Sequence, residues 1–122
     1  MDERFRKHQH LRRQVEFARV YERRNSVADS LLIVYGLPND FPFARLGLSV
    51  SRKVGNAVTR NWWKRRIREV FRRSQNSIPQ GMDYIVIPRA GADAKPRFQE
   101  LAESLTTLCS RVERKYQRGH NR

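Results

Sequence analysis

Between Leu11 and about Glu22 the chain has neither proline nor glycine, and Val15, Phe17, Ala18 and Tyr21 return at near-helical spacing. This predicts a first helix, although its apolar residues lie on more than one side. Ser26 to Ala28 reads as a short extended piece. After Asp29, the β-branched and aliphatic run Leu31, Leu32, Ile33, Val34, Tyr35 is too short for a helix before Gly36 and Pro38 stop it, so it predicts a strand. Residues 37–43 carry Pro38, Pro42 and the Asn39-Asp40 pair, which is turn chemistry. From Arg45 to Ser51, Leu46, Leu48 and Val50 alternate onto one face. That predicts a second long strand, paired with the first as a hairpin.

Gly55 and Asn56 then punctuate the chain, and Ala57 to about Ser74 contains no helix breaker. Asn56 suits the N-cap of that helix, because its side-chain oxygen can accept from a backbone N–H of the first turn. Tyr84 to Ile87 predicts another strand, which Pro88 confines to an end or edge position because proline has no N–H for a ladder. A Gly/Ala/Pro loop follows. Pro96 suits a first helical turn, and Phe98, Leu101, Ala102, Leu105, Leu108, Cys109, Val112 and Tyr116 step at three and four residues, the mark of a terminal amphipathic helix. The order helix, short strand, two strands, helix, strand, helix describes an α+β fold: a two-layer α/β sandwich with helices covering a small sheet.

A chain of 122 residues without a repeat or a Pro/Gly-rich linker reads as one domain, with flexible basic tails over about 1–10 and 118–122. Charge narrows its function. Lysine and arginine number 26 against 12 aspartate and glutamate, a formal charge of +14 whose self-repulsion opposes folding. A polyanion would relieve it, and nucleic acid fits best, since each neutralised phosphate releases a counterion. A membrane is a poorer match, because no uninterrupted apolar stretch reaches spanning length and MDERFRKHQH has no apolar segment after its charges. The single Cys109, at helical spacing among apolar residues, reads as a small buried hydrophobe in a reducing cytoplasm.

The segment from Ser51 to Arg73, SRKVGNAVTRNWWKRRIREVFRR, concentrates this charge. Wound at roughly 100° per residue, it places Trp63, Ile67, Val70 and Phe71 on one face. Asn61, Arg65, Arg68 and Arg72 lie opposite with Lys64 beside them, and Arg66 and Arg73 occupy the far flank. A solvated helix face normally interleaves acids with bases, but Glu69 is the only acid here, so like charges repel along the ridge. Asn61 adds an uncharged donor and acceptor suited to 2′-hydroxyls or base edges. Arg52, Lys53 and Gly55 feed a helix N-terminus, where free N–H groups favour a phosphate. The GxxxxGK[ST] spacing of a nucleotide-hydrolysing loop is absent.

The string Lys53, Gly55, Ala57, Arg60, Asn61, Lys64, Arg65, Arg68, Glu69 resembles, position by position, the KxGxAxxRNxxKRxxRE signature of the bacterial ribonuclease P protein family. LRRQVEFARVYERRNSVADSLLIVYGL resembles the family's first helix and following strands, GLSVSRK the strand entering the motif, and DYIVIPR the last strand. The resemblance implies a four-stranded mixed sheet like the second domain of ribosomal protein S5, with an unusual left-handed βαβ crossover against the general right-handed preference. It implies partnership with a catalytic RNA and with precursor tRNA, and chemistry carried by that RNA with Mg2+ held mainly there. Of the candidate RNA-binding residues, Lys53, Arg60, Asn61, Lys64, Arg65 and Arg68 lie at signature positions, while Arg52, Asn56 and Arg72 join them from the loop, the cap position and the cationic helix face. By position, Phe17, Tyr21 and Tyr35 correspond to aromatics of a cleft for the single-stranded 5′ leader. The same spacing also suits a packed interior. The sequence departs from the family pattern at Trp62-Trp63. Trp63 fits the packed face, while Trp62 falls on its shoulder, as a half-buried flank residue or a platform for a base.

Cleaving a phosphodiester within the protein would need metal-holding carboxylates or a placed acid and base. The acids show no close motif, and His8, His10 and His120 fall in the expected tails. No catalytic or metal-binding residue is therefore expected in the chain, and no protein partner is evident. Two other readings remain at this point: a structural RNA-binding protein of ribosomal type without a role in tRNA maturation, and a DNA-binding helix protein, which a requirement for the 2′-hydroxyl would separate.

Overall fold

The computed structural model describes residues 9–89 and 95–120. Its elements are α1 (Gln14–Glu22), β1 (Ser26–Ala28), β2 (Leu32–Pro38), β3 (Arg45–Leu48), α2 (Ala57–Arg73), β4 (Met82–Pro88) and α3 (Phe98–His120), with 3-10 turns at Arg52–Val54 and Gln75–Ser77. This is the α-β-β-β-α-β-α order expected, and the four strands form one mixed sheet.

The pairing differs from the expected hairpin. The strand order is β1-β2-β4-β3, so β2 and β3 are separated by β4. β1 and β4 both run antiparallel to β2, while β3 runs parallel to β4. The physical reason is burial. MDYIVIP is apolar at nearly every position on both faces, and all but Ile87 are buried, as a central strand requires. Pro88 occupies the end of that strand opposite Leu32, where its missing N–H does little harm. β3 and β4, adjacent and parallel, are joined through α2 as a βαβ unit.

Each sheet face has its own cluster. On one, Leu32, Val34, Leu46, Tyr84 and Val86 meet Trp63, Ile67, Val70 and Phe71 of α2 and Leu101, Leu105, Leu108, Cys109 and Val112 of α3. Cys109 is completely buried, and burial pushes its thiol pKa up, as expected of an inert core cysteine. The opposite face carries Leu37 and Ile85, covered by Leu11 and by Val20 of α1. α1 thus lies across the sheet from the two longer helices.

Gln9 and His10, at the inner end of the expected N-terminal tail, lie against the sheet. Gln9 is buried with its side-chain nitrogen 3.4 Å from the Ala44 carbonyl, and Leu11 N–H donates to Leu46 O at 2.8 Å. His10 forms a parallel bridge to Leu46. These contacts extend the β3 edge, which among the described residues has no full strand beyond it. At the other end α3 continues to His120, past the expected tail boundary at 118. Residues 1–8, with His8, and 121–122 lie outside the described residues.

Candidate nucleic-acid interface

The cationic helix begins as its sequence predicts. Asn56 Oδ1 accepts from Thr59 N–H at 3.0 Å, capping α2, while the residue itself stays exposed. Just before it, Gly55 holds φ 151° and ψ −168°, and a Cβ there would lie 2.9 Å from Thr59 Cβ. Only glycine accepts that geometry without strain. The kink sets Arg52 and Lys53, both exposed, in a 3-10 turn beside the N-terminus of α2.

Trp63, Ile67, Val70 and Phe71 are buried as projected, and they fix the rotation of α2 on the sheet. Asn61, Arg65 and Arg68 face solvent, with Arg60, Lys64 and Arg72 half-buried alongside. The sole acid acts on the flank. Glu69 lies 3.9 Å from Arg66 and 3.7 Å from Arg73, and these two arginines also cover the Phe98 ring at 5.9 and 5.1 Å. Among the described residues no carboxylate pairs with Arg65 or Arg68. Arg60 Nε is enclosed without a hydrogen-bond partner among the described residues.

Trp62 is half-buried against the core, its ring edge-on to Trp63 and covered by Arg66 at 5.4 Å and Lys95 at 5.5 Å. The protein's own cations engage this ring, which favours the flank role over base stacking. His10 was expected in a tail, but it is held close to the ridge. Burial, followed by the positive charges of Arg12 and Arg68, lowers its pKa and favours neutral imidazole.

On the other face of the sheet, Phe17, Tyr21 and Tyr35 form a continuous half-buried row between α1 and β2. The Phe17 and Tyr21 centroids are 6.4 Å apart, and Tyr21 meets Tyr35 edge-on at 4.9 Å. Phe17 lies directly on the backbone of β3, since a Cβ on Gly47 would stand 2.8 Å from Phe17 Cζ. All three rings are partly buried against the Leu11, Val20, Leu37 and Ile85 cluster and partly exposed. Tyr116 also packs against this cluster. Its spacing continues that of Leu101 to Val112, but it packs in the α1-side cluster while they pack in the other. β3 connects the two features: Leu46 faces the α2 side, while Gly47 lies beneath Phe17.

The carboxylates are less scattered than their sequence positions suggest. Asp83, 1% exposed, accepts from Arg45 through both oxygens at 2.7 Å and from Asn39 at 2.8 Å, with Arg19 3.5 Å away. Arg45 also reaches Glu16 of α1 at 2.9 Å. This buried cluster ties α1 to the sheet and so sets the position of Phe17 and Tyr21. Burial alone would raise the Glu16 pKa, but backbone N–H groups of Arg13 and Arg12 and the Arg45 guanidinium together hold it below the ordinary carboxylate value. Asp29 is likewise engaged: it accepts from Leu31 N–H, Leu32 N–H and the Ser104 hydroxyl, joining the start of β2 to α3.

A family model described as Ribonuclease P matches residues 5–113. The chain is 39% identical over 107 residues to the ribonuclease P protein component of Halalkalibacterium halodurans, covering 87% of this chain and 89% of that one. It is 43% identical over 89 residues to the component of Levilactobacillus brevis, covering 72% and 75%. Among solved structures, the ribonuclease P protein of Thermotoga maritima superposes with a TM-score of 0.76 at 34% identity, covering 84% of this chain and 96% of that one. The protein from Staphylococcus aureus gives 0.72 at 36% identity, covering 84% and 93%. The chain therefore belongs to the ribonuclease P protein family.

Proposed function

We propose that the outward face of α2 is the surface this ribonuclease P subunit lays against the catalytic RNA, and that the aromatic row holds the 5′ leader of precursor tRNA. The observation that carries the reading is the division of charge on α2. The helix's one acid neutralises the flank arginines Arg66 and Arg73, while Arg65 and Arg68 stay exposed and, among the described residues, without a carboxylate partner. Like charges fixed on a rigid helix are relieved by a polyanion opposite them. Arg52, Lys53, Asn56, Arg60, Asn61, Lys64 and Arg72 complete that surface. Asn56 has a second role as the helix cap.

Phe17, Tyr21 and Tyr35 would stack the unpaired bases of the leader, and stacking suits a single strand of varied sequence. The cutting chemistry belongs in this reading to the RNA with its Mg2+. Asp83, the most buried carboxylate, is taken up by Arg45 and Asn39, and among the described residues no three His, Cys, Asp or Glu side chains gather as a metal cage. The described residues therefore do not fit a magnesium site. The cytoplasm is the compartment proposed, as the place where tRNA precursors and a free buried thiol coexist; no helix among the described residues is long and apolar enough to cross a membrane.

The test is to reconstitute the chain with a bacterial ribonuclease P RNA at low magnesium. Restored 5′ maturation, with tighter binding of precursor than of mature tRNA, is the expected result. Equal binding of the two substrates would overturn the leader assignment.

A further inference from the structure

A second cationic surface, absent from the signature helix, lies where the end of α3 passes the turn between α1 and β1. Arg111, Arg114, Lys115 and Arg118 fall at i, i+3, i+4 and i+7, a single helix face, and together with Ser26 and Val27 they line an open groove. An adjoining hollow adds Arg23 and Arg24 from the turn, beside Lys115, Tyr116 and Arg118. All six cations are exposed.

Basic residues near a helix C-terminus are ordinary complements of the helix dipole, so their presence on α3 alone would mean little. The turn changes this. Asn25, nearly buried, donates through Nδ2 to the carbonyls of Gly36 and Val112, each at 3.0 Å, and Lys115 Nζ donates to Ser26 O at 2.8 Å. Arg24 takes the left-handed backbone conformation at φ 53°, uncommon for a side chain of its kind. The turn is thereby locked to α3, and two further arginines are held toward four like charges. Among the described residues, no ion pair joins Arg23, Arg24, Arg114, Lys115 or Arg118 to a carboxylate. Glu113 instead accepts from Gln117 on the same helix, and Asp29 exerts its pull on Arg111.

The groove is continuous with the aromatic row. Tyr116 lines the hollow and packs in the Phe17, Tyr21 and Tyr35 cluster, and Ser26 sits opposite Tyr35 in the β1–β2 ladder. A strand stacked on those rings and continuing past Tyr35 would run between Arg23 and Arg24 on one side and α3 on the other. We propose that this groove binds the backbone phosphates of the single-stranded leader upstream of the bases held by the aromatic row. The proposal rests on the leader reading of that row, and it makes the site longer, with a stacking half and an electrostatic half.

The test uses the full chain assembled with a bacterial ribonuclease P RNA and three ligands: mature tRNA, precursor with a leader that only crosses the aromatic row, and precursor with a leader several nucleotides longer. Arg114→Gln with Arg118→Gln should abolish the affinity gained on lengthening the leader. It should lower the salt slope for the long leader by about 1.4, at about 0.7 per single-strand phosphate contact. Binding of the short leader and thermal unfolding should stay at wild-type values, and Arg114→Lys with Arg118→Lys should restore the slope.

A wild-type protein that gains nothing from the longer leader, or a double glutamine variant that keeps the whole gain, overturns the groove and leaves the aromatic reading standing. Equal weakening for all three ligands also overturns it, because the groove would then serve the catalytic RNA. If the wild-type complex does not separate short-leader precursor from mature tRNA, the aromatic reading itself fails, and the groove proposal falls with it.

Discussion

Adding a single methyl group to β3 should disturb leader recognition without removing any aromatic ring. A Cβ on Gly47 would stand 2.8 Å from Phe17 Cζ, 3.0 Å from Phe17 Cε2 and 3.1 Å from Leu11 Cβ. Carbon atoms in contact prefer about 3.5–4.0 Å, so Gly47→Ala obliges the ring to retreat by about 1 Å. Overpacking of this kind costs about 1–3 kcal/mol. Against it, alanine restricts the unfolded chain and recovers about 0.4–1 kcal/mol. The net expectation is a loss of about 1 kcal/mol, read as a lower urea midpoint at unchanged m-value. Because Phe17 adjoins Tyr21 in the row, its displacement should also reduce the preference of the assembled enzyme for precursor over mature tRNA. Stability within about 0.5 kcal/mol of wild type, together with an unchanged precursor preference, would show that Phe17 is not seated on Gly47 as described and would refute the argument.

Arg65→Ala with Arg68→Ala should leave thermal unfolding unchanged, since both side chains are exposed, yet lower the salt slope of RNA binding by about one per lost phosphate contact; an unchanged slope would remove the ridge from the interface. Arg45→Met should cost about 2–4 kcal/mol, because it takes the bidentate partner from the buried Asp83 carboxylate and leaves it only Asn39 and the half-exposed Arg19, and a urea-measured loss below about 1 kcal/mol would contradict that. Acid should weaken the fold through Glu16 and Asp29, which in spite of their burial are held below their ordinary values of 4.5 and 3.8 by the hydrogen bonds and cations around them. The folded state then binds fewer protons than the unfolded one, so this stability is present above those values and is lost as pH falls through the lower folded ones. Glu16→Gln should flatten that acid limb, and an identical pH profile would exclude Glu16 as a contributor.

The cationic helix was legible in the sequence because every local signal agreed: an uninterrupted helical stretch, an Asn56 cap, an apolar face and a single acid. α3 was legible for the same reason, from its three- and four-residue spacing. The strand order was not, because pairing depends on which strand is buried on both faces. The one available signal was the unbroken apolar character of residues 84–87, which marks a central strand. The Asp83–Arg45–Glu16 cluster could not be seen, since its members are far apart in sequence and meet only after α1 crosses the sheet. Tyr116 and the α3 groove were hidden by a different fact: the spacing that marks one cluster from Leu101 to Val112 runs on unbroken to Tyr116, which packs in the other.

The position of β4 has a consequence for how the polypeptide is assembled as it leaves the ribosome. Apart from its bridge at His10, the strand ending at Leu48 pairs among the described residues with the strand at Met82–Pro88, so the segment between them emerges before the sheet it must lie on is complete. Throughout that interval the strongly positive stretch lacks the β4 strand that completes its sheet, and a non-local closure of this kind is intrinsically slow. The surface on which the cationic helix packs is therefore complete only once β4 and the α3 residues of the same cluster have been made.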